Sequence, residues 1–222
     1  MNFRHEIKCE INLSDMITIR QRLNAVAYPD PYAIDGKYFI RSLYFDNFSD
    51  KVLREKIDGV NYREKFRIRY YNGDTSVIHL EKKSKCSGLS SKQSAPLTAY
   101  QAHAIISGEC EWMLYSDHPL VRELYSKMTV EGIRPKTIVD YTREPFIFPA
   151  GNVRVTIDHN IRTGLACTDF LDRNCVTVPA SQSTILEIKW DSFLPDIIRD
   201  AVSLESRHNG AFSKYAACRI YG

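Results

Sequence analysis

With 222 residues and 44% hydrophobic content, the chain can bury one sizeable core, and a net charge of only +3, from 30 Lys+Arg against 27 Asp+Glu, is too small for nucleic-acid binding by bulk electrostatics. Six cysteines without a CxxC pair or a dense framework point away from a zinc site and a disulfide scaffold, and read as reduced thiols. No signal core and no run near the roughly 20 apolar residues of a membrane span is present, so a soluble, cytoplasmic protein is expected.

The opening HEIKCEI alternates, with Ile7, Cys9 and Ile11 on one strand face and Glu6, Lys8 and Glu10 on the other. From Ser14, SDMITIRQRLNAV has a capping residue and apolar positions at helical spacing, and stops before Pro29. Strands are expected at Tyr38 to Phe45, Glu64 to Tyr71 and Ser76 to Lys83, with Asn72-Gly73-Asp74 turning the last two into a hairpin. Lys85 to Pro96 reads as a polar loop; its Lys85 and Lys92 are either solvated or placed at the mouth of a site. Helices follow at Thr98 to Ser107, stopped by Gly108, and at Pro119 to Glu131, with Asp117 placed to cap and Gly132 after the end. The second half returns to strands at Lys136 to Arg143, Val153 to Ile161 and Thr184 to Trp190, then a helix at Pro195 to Leu204 and a short helical tail near Ser213 to Ile220. No linker or repeat divides the halves, so residues 1–222 are expected to form a single α+β domain on an antiparallel sheet.

Five strands repeat one device. Arg67 and Arg69 share a face in KFRIRYY, His79, Glu81 and Lys83 in VIHLEKK, Glu187 and Lys189 in ILEIKW, and Arg154, Thr156 and Asp158 in VRVTIDHNI. An E-x-K unit occurs at Glu6/Lys8, Glu81/Lys83 and Glu187/Lys189. Such a face either meets solvent or lines the interior of a closed barrel whose apolar faces pack outward on helices. Inside a barrel, carboxylates would hold a hard divalent cation and the Lys and Arg groups would grip phosphate oxygens, which suits a metal-chelated polyphosphate. Asp158 would orient a water or a metal, or pair with Arg154. The histidines have no HxH or HExxH spacing, and there is no GxxxxGK[ST], GxGxxG or nucleophile elbow.

HEIK, LYFDN (Leu43 to Asn47), RIRYY (Arg67 to Tyr71), LEKK (Leu80 to Lys83), RPK…YTR (Arg134 to Arg143), LEIK (Leu186 to Lys189) and FSKY (Phe212 to Tyr215) follow the order and spacing of the vacuolar transporter chaperone (VTC) domain, which the chain resembles over nearly its whole length. That domain is a polyphosphate polymerase of the triphosphate tunnel metalloenzymes. The resemblance implies a closed antiparallel β-barrel tunnel with helices outside, binding ATP through its phosphates with Mn2+ or Mg2+ and passing the terminal phosphoryl group to a growing inorganic polyphosphate chain. By position, Lys8, Arg67, Arg69, Lys83 and Lys214 look like the phosphate-binding lining, with Lys136, Arg143 and Lys189 as further cations. Glu187 looks like the metal ligand, and Glu6 and Glu81 are metal ligands or ion-pair partners of Lys8 and Lys83.

The chain departs from the family in two places. Ile138 stands where the family has an arginine, so Lys136 or Arg143 would supply that charge. Arg4 occupies the position of the first glutamate in related tunnel triphosphatases, which favours the polymerase branch. The chain begins almost at its first strand and looks like a free-standing catalytic module without a membrane segment. A triphosphate hydrolase or cyclase on the same scaffold, and a noncatalytic polyphosphate or nucleotide binder, are the alternatives.

Overall fold

Strand–helix alternation follows the change of hydrophobic period along the chain. The computed structural model describes residues 4–87, 89–204, 210 and 212–219. In order they form β1 (His5–Ile11), α1 (Leu13–Val26), β2 (Tyr28–Pro29), β3 (Tyr38–Asp46), α2 (Lys51–Ile57), β4 (Tyr62–Tyr71), β5 (Asp74–Cys86), β6 (Leu89–Leu97), α3 (Ala99–Ser107), α4 (Pro119–Val130), β7 (Arg134–Phe148), β8 (Val153–Thr163), β9 (Val178–Ser181), β10 (Thr184–Trp190), α5 (Asp196–Val202) and α6 (Lys214–Arg219). The expected tail reaches Ile220, which lies outside the described residues. Among the described residues no helix is long and apolar enough to cross a membrane.

Local chemistry explains the boundaries and three corrections. Asn12, not Ser14, caps α1: its side chain accepts from the Asp15 N–H at 2.8 Å while Asp15 accepts from the Asn12 N–H at 3.1 Å. His118, not Asp117, caps α4, its Nδ1 accepting from the Leu120 N–H at 3.3 Å. Lys85 to Pro96 is not a loop: β5 runs on to Cys86 and pairs antiparallel with β6 from Ile78↔Leu97 to Cys86↔Leu89. Along β6 only Ala95 and Leu97 are buried, so backbone pairing rather than an apolar stripe makes it a strand. The hairpin at Asn72-Gly73 is as expected, both residues having positive φ (52° and 72°), the combination a tight two-residue turn demands.

The chain forms two compact units, one from Met1–Phe39, Tyr141–Ile161 and Ser181–Ser213, the other from Ile40–Asp140, Arg162–Ala180 and Lys214–Gly222. In the first, strands lie in the order β1-β10-β8-β7. Their apolar face packs Val155, Ile157, Leu186 and Ile188 against Met16, Ile19 and Leu23 of α1 and Ile198 of α5. In the second the order is β7-β3-β4-β5-β6. Leu43, Phe66, Ile68, Ile78 and Leu80 there pack against Ile105 of α3 and Leu120, Leu124 and Met128 of α4.

The hydrogen-bonded order ends on β1 and on β6. Among the described residues no ladder closes it, so the architecture is α+β on an open antiparallel sheet rather than the closed barrel expected. The edge explains this: β6 is mostly Ser, Lys and Gln, and Pro96 has no N–H to donate, both of which discourage further pairing.

Candidate functional site

In the first unit, register brings two charged rows together. Lys8, Glu187 and Thr156 lie directly opposite one another on β1, β10 and β8, with Glu6, Lys189 and Arg154 in the next row. The Glu187 carboxylate lies 2.7 Å from Lys189 Nζ and 3.6 Å from both Lys8 Nζ and Arg143 Nη2. Lys8 also pairs with Glu6. Arg143 forks onto Asp158, Nε to Oδ1 at 2.7 Å and Nη2 to Oδ2 at 2.8 Å. Glu187 is only 5% exposed. Burial disfavours its charge, but Lys8, Lys189 and Arg143 outweigh that and hold its pKa well below the ordinary glutamate value. Burial likewise opposes the Lys8 ammonium, and Glu187 and Glu6 overcome it to raise that pKa. Among the described residues, Lys8, Lys189 and Arg143 thus face Glu187, Glu6 and Asp158. Thr156 Oγ1 is buried beside it without a hydrogen-bond partner among the described residues.

The second unit carries a different balance. Lys65, Lys83 and Lys92 form one row across β4, β5 and β6, and Arg67 and Arg69 continue the β4 face past Glu81. Glu81 is the carboxylate that Arg67, Arg69 and Lys92 share on this face. Glu81 is 4% exposed and takes Arg67 Nη2 at 2.6 Å, Lys92 Nζ at 2.7 Å and Arg69 Nη1 at 3.7 Å. Burial raises its pKa, yet Arg67, Arg69 and Lys92 hold it far below the ordinary value. Two hydroxyl groups aim the guanidinium groups: Tyr44 Oη accepts from Arg67 Nη1 at 2.7 Å, and Ser42 Oγ accepts from Arg69 Nε at 3.2 Å. Tyr44 is buried, which favours its neutral phenol, but the cations of Arg67, Lys65 and Arg69 win and bring its pKa to about 7.

The remaining sequence-predicted residues are placed as follows. Lys83 is half-buried in the lysine row. Lys136 Nζ lies 3.0 Å from Asp50, which Arg219 also holds at 2.8 Å. Ile138 is fully buried in the apolar core of the second unit. Lys214 is half-buried at the start of α6, next to Tyr215, whose hydroxyl donates to Asp46 at 2.6 Å. Arg4 pairs with Asp191 at 2.8 Å. Asp158 does not pair with Arg154, which goes to Asp30 at 3.0 Å. Lys92 lies on β6 rather than in a loop, and its exposed side chain reaches Glu81 at 2.7 Å. Sequence reading missed Tyr44 and Ser42 and put Thr156 on the charged face without a role; the signal of each is only that it shares strand parity with the charged residues.

Among the described residues no group of three or more His, Cys, Asp or Glu is arranged to hold a metal ion. A hard cation that arrives with its own phosphate and water oxygens needs only one or two protein oxygens. The Glu187 carboxylate and the unpartnered Thr156 hydroxyl directly opposite it fit that requirement.

No curated protein matches the chain. Among solved structures, a protein of Bacillus halodurans described as a candidate adenylate cyclase has TM-score 0.52 and 9% identity, covering 85% of this chain and 80% of its own, a likeness of fold alone. The PH1012 protein of Pyrococcus horikoshii has TM-score 0.47 and 13% identity, covering 93% of this chain and 92% of its own. The VTC domain model matches residues 3–220, and a match that spans nearly the whole chain means that the protein belongs to the VTC domain family.

Proposed function

We propose that the protein is a metal-dependent polyphosphate polymerase, working as a single tunnel domain that transfers the terminal phosphoryl group of ATP to inorganic polyphosphate. The observation that carries this reading is that a VTC-family chain holds both a strongly cationic strand face, Lys65, Arg67, Arg69, Lys83 and Lys92, in its second unit and a buried carboxylate, Glu187, in its first. Guanidinium and ammonium groups suit phosphate oxygens, and the arginine fork can take two at once. Glu187, with Thr156 beside it and Glu6 one row away, would hold Mn2+ or Mg2+, which supplies neutralisation of phosphate charge when bound. Lys8, Lys189 and Arg143 keep Glu187 ionised for that purpose and bind phosphate oxygens themselves; Lys136 and Lys214 are further candidates.

Phosphoryl transfer requires in-line positioning and charge neutralisation rather than a protein nucleophile. A terminal oxygen of the acceptor chain attacks the γ-phosphorus, the bond from that phosphorus to the βγ-bridging oxygen breaks, and ADP leaves. Arg67 and Arg69 hold the transferred group's oxygens, and no side chain becomes covalently modified. Incubation of the purified protein with ATP and manganese tests this. Long-chain polyphosphate formed without stoichiometric free phosphate is expected. Free phosphate alone would identify a hydrolase, a cyclic nucleotide a cyclase, and no product a binding module, and each of these overturns the proposal.

A further inference from the structure

The segment between β8 and β9 holds two thiols, packed partly buried against the core of the second unit, that the proposed reaction does not use. Cys167 and Cys175 lie with Sγ atoms 3.0 Å apart, about 1 Å longer than a disulfide bond, and both are partly exposed. Their segment is fastened to the back of β3 and β4. Phe170 is fully buried with its ring 4.8 Å from that of Tyr70, whose hydroxyl donates to the Phe170 carbonyl at 3.1 Å. The buried Arg41, paired with Asp140 at 2.9 Å, donates through Nη1 to the Asp172 carbonyl at 2.5 Å and through Nη2 to that of Cys175 at 3.5 Å. Arg173 reaches the Gly73 carbonyl of the β4–β5 turn at 2.6 Å. These contacts hold the backbone that runs between the two sulfurs, so the thiols meet because the fold places them together.

We propose that Cys167 and Cys175 are a redox modification site, converted by a small-molecule disulfide of the glutathione class into an intramolecular disulfide that locks the 167–175 segment onto β3 and β4. The Cys167 thiolate attacks one sulfur of the external disulfide, forming a mixed disulfide and expelling one thiolate. Cys175 then gives up its proton to solvent and attacks the Cys167 sulfur, expelling the second. Two protein thiols and one external disulfide become one protein disulfide and two small thiols, so electrons and protons balance. Burial and the adjoining Cys167 thiol push the Cys175 pKa up to about 12, so ring closure waits on the loss of the Cys175 proton. The ring is short and already formed by native contacts, so closing it adds restraint to the open form of the segment rather than to the folded one.

The test uses the whole folded protein in oxidised glutathione. Trypsin cleaves after Arg162, Arg173 and Lys189, so the disulfide would join peptides 163–173 and 174–189. That linked pair is expected from native protein, with four of six thiols still titratable. Cys167→Ser and Cys175→Ser should each give no link and a glutathione adduct on the remaining partner. Amide exchange across 167–175 should slow by about tenfold or more in the oxidised form. Six titratable thiols in native protein, a different cysteine pair, or equal yields of several pairs would overturn the assignment; a correct link with unchanged exchange would overturn the locking.

Discussion

A carboxylate as deeply buried as Glu187 keeps its charge only because Lys8, Lys189 and Arg143 surround it. Glu187→Gln preserves shape and removes the charge, so the proposed polymerase should lose metal-dependent turnover while the fold survives at a cost of about 1–3 kcal/mol. Steady-state assays at saturating manganese, with urea unfolding alongside, check both halves; undiminished turnover would remove Glu187 from the metal. Tyr44 offers a second test. Its pKa of about 7 lies below the ordinary phenol value of 10, so ionisation favours the folded state. That contribution is complete above pH 10 and is lost as pH falls through about 7. Wild type should therefore gain stability over Tyr44→Phe between pH 7 and 10, and ultraviolet titration should find one tyrosine ionising near pH 7 that the variant lacks. The E-x-K alternation made Glu187, Lys189 and Lys8 legible from sequence. Ser42, Tyr44 and Thr156 were not, because a neutral residue on a polar strand face has no signature until cross-strand register puts a guanidinium or carboxylate beside it.

Elements with a clear apolar stripe were legible, and those made by pairing alone were not. The apolar positions of KFRIRYY and ILEIKW fall in the buried clusters, whereas β6 offers mostly serine, lysine and glutamine and exists through its ladder with β5. The short α2 has no buried residue, and its N-terminal N–H groups at Val52 and Leu53 are satisfied by Asp46, from outside the helix. The anchor of α1 was equally invisible. Arg20 forks onto Glu144 of β7 at 2.6 and 2.9 Å, and His159 Nε2 of β8 lies 3.0 Å from the same carboxylate. Burial disfavours the Glu144 charge, but the bonds from His159 and Arg20 outweigh it and bring its pKa to about 2. The stabilisation is therefore present above the ordinary glutamate value of 4.5 and lost as pH falls towards 2. Glu144→Gln should cost about 3 kcal/mol at pH 7, from about 1.4 kcal/mol per pKa unit, with the gap to wild type closing between pH 4.5 and 2 in urea unfolding. A gap that persists unchanged at pH 2 would show that packing rather than charge fastens α1.

At the scale of the whole molecule, the +3 net charge conceals local concentration: Lys8, Lys189 and Arg143 gather around Glu187, while Lys65, Arg67, Arg69, Lys83 and Lys92 share the face that carries Glu81. A ligand recognised by the second set is read by its phosphates, since those side chains are hydrogen-bond donors that match phosphate oxygens. ATP, GTP and inorganic triphosphate should then bind within about tenfold of one another, roughly 1.4 kcal/mol, while AMP binds far more weakly. Binding should also weaken as ionic strength rises, because salt screens the attraction. Arg69→Lys sharpens the test. Arg69 is held by Ser42 at 3.2 Å and Tyr71 at 3.2 Å, which fixes the plane of its guanidinium. Lysine keeps the charge but has no plane to fix and no second donor pair, so it should lose affinity for triphosphate although the net charge is unchanged. Calorimetric titration of the four ligands into wild type and Arg69→Lys separates geometry from charge: equal affinities in the two proteins would mean that any cation suffices at that position, and strong preference for adenine would move recognition away from the phosphates altogether.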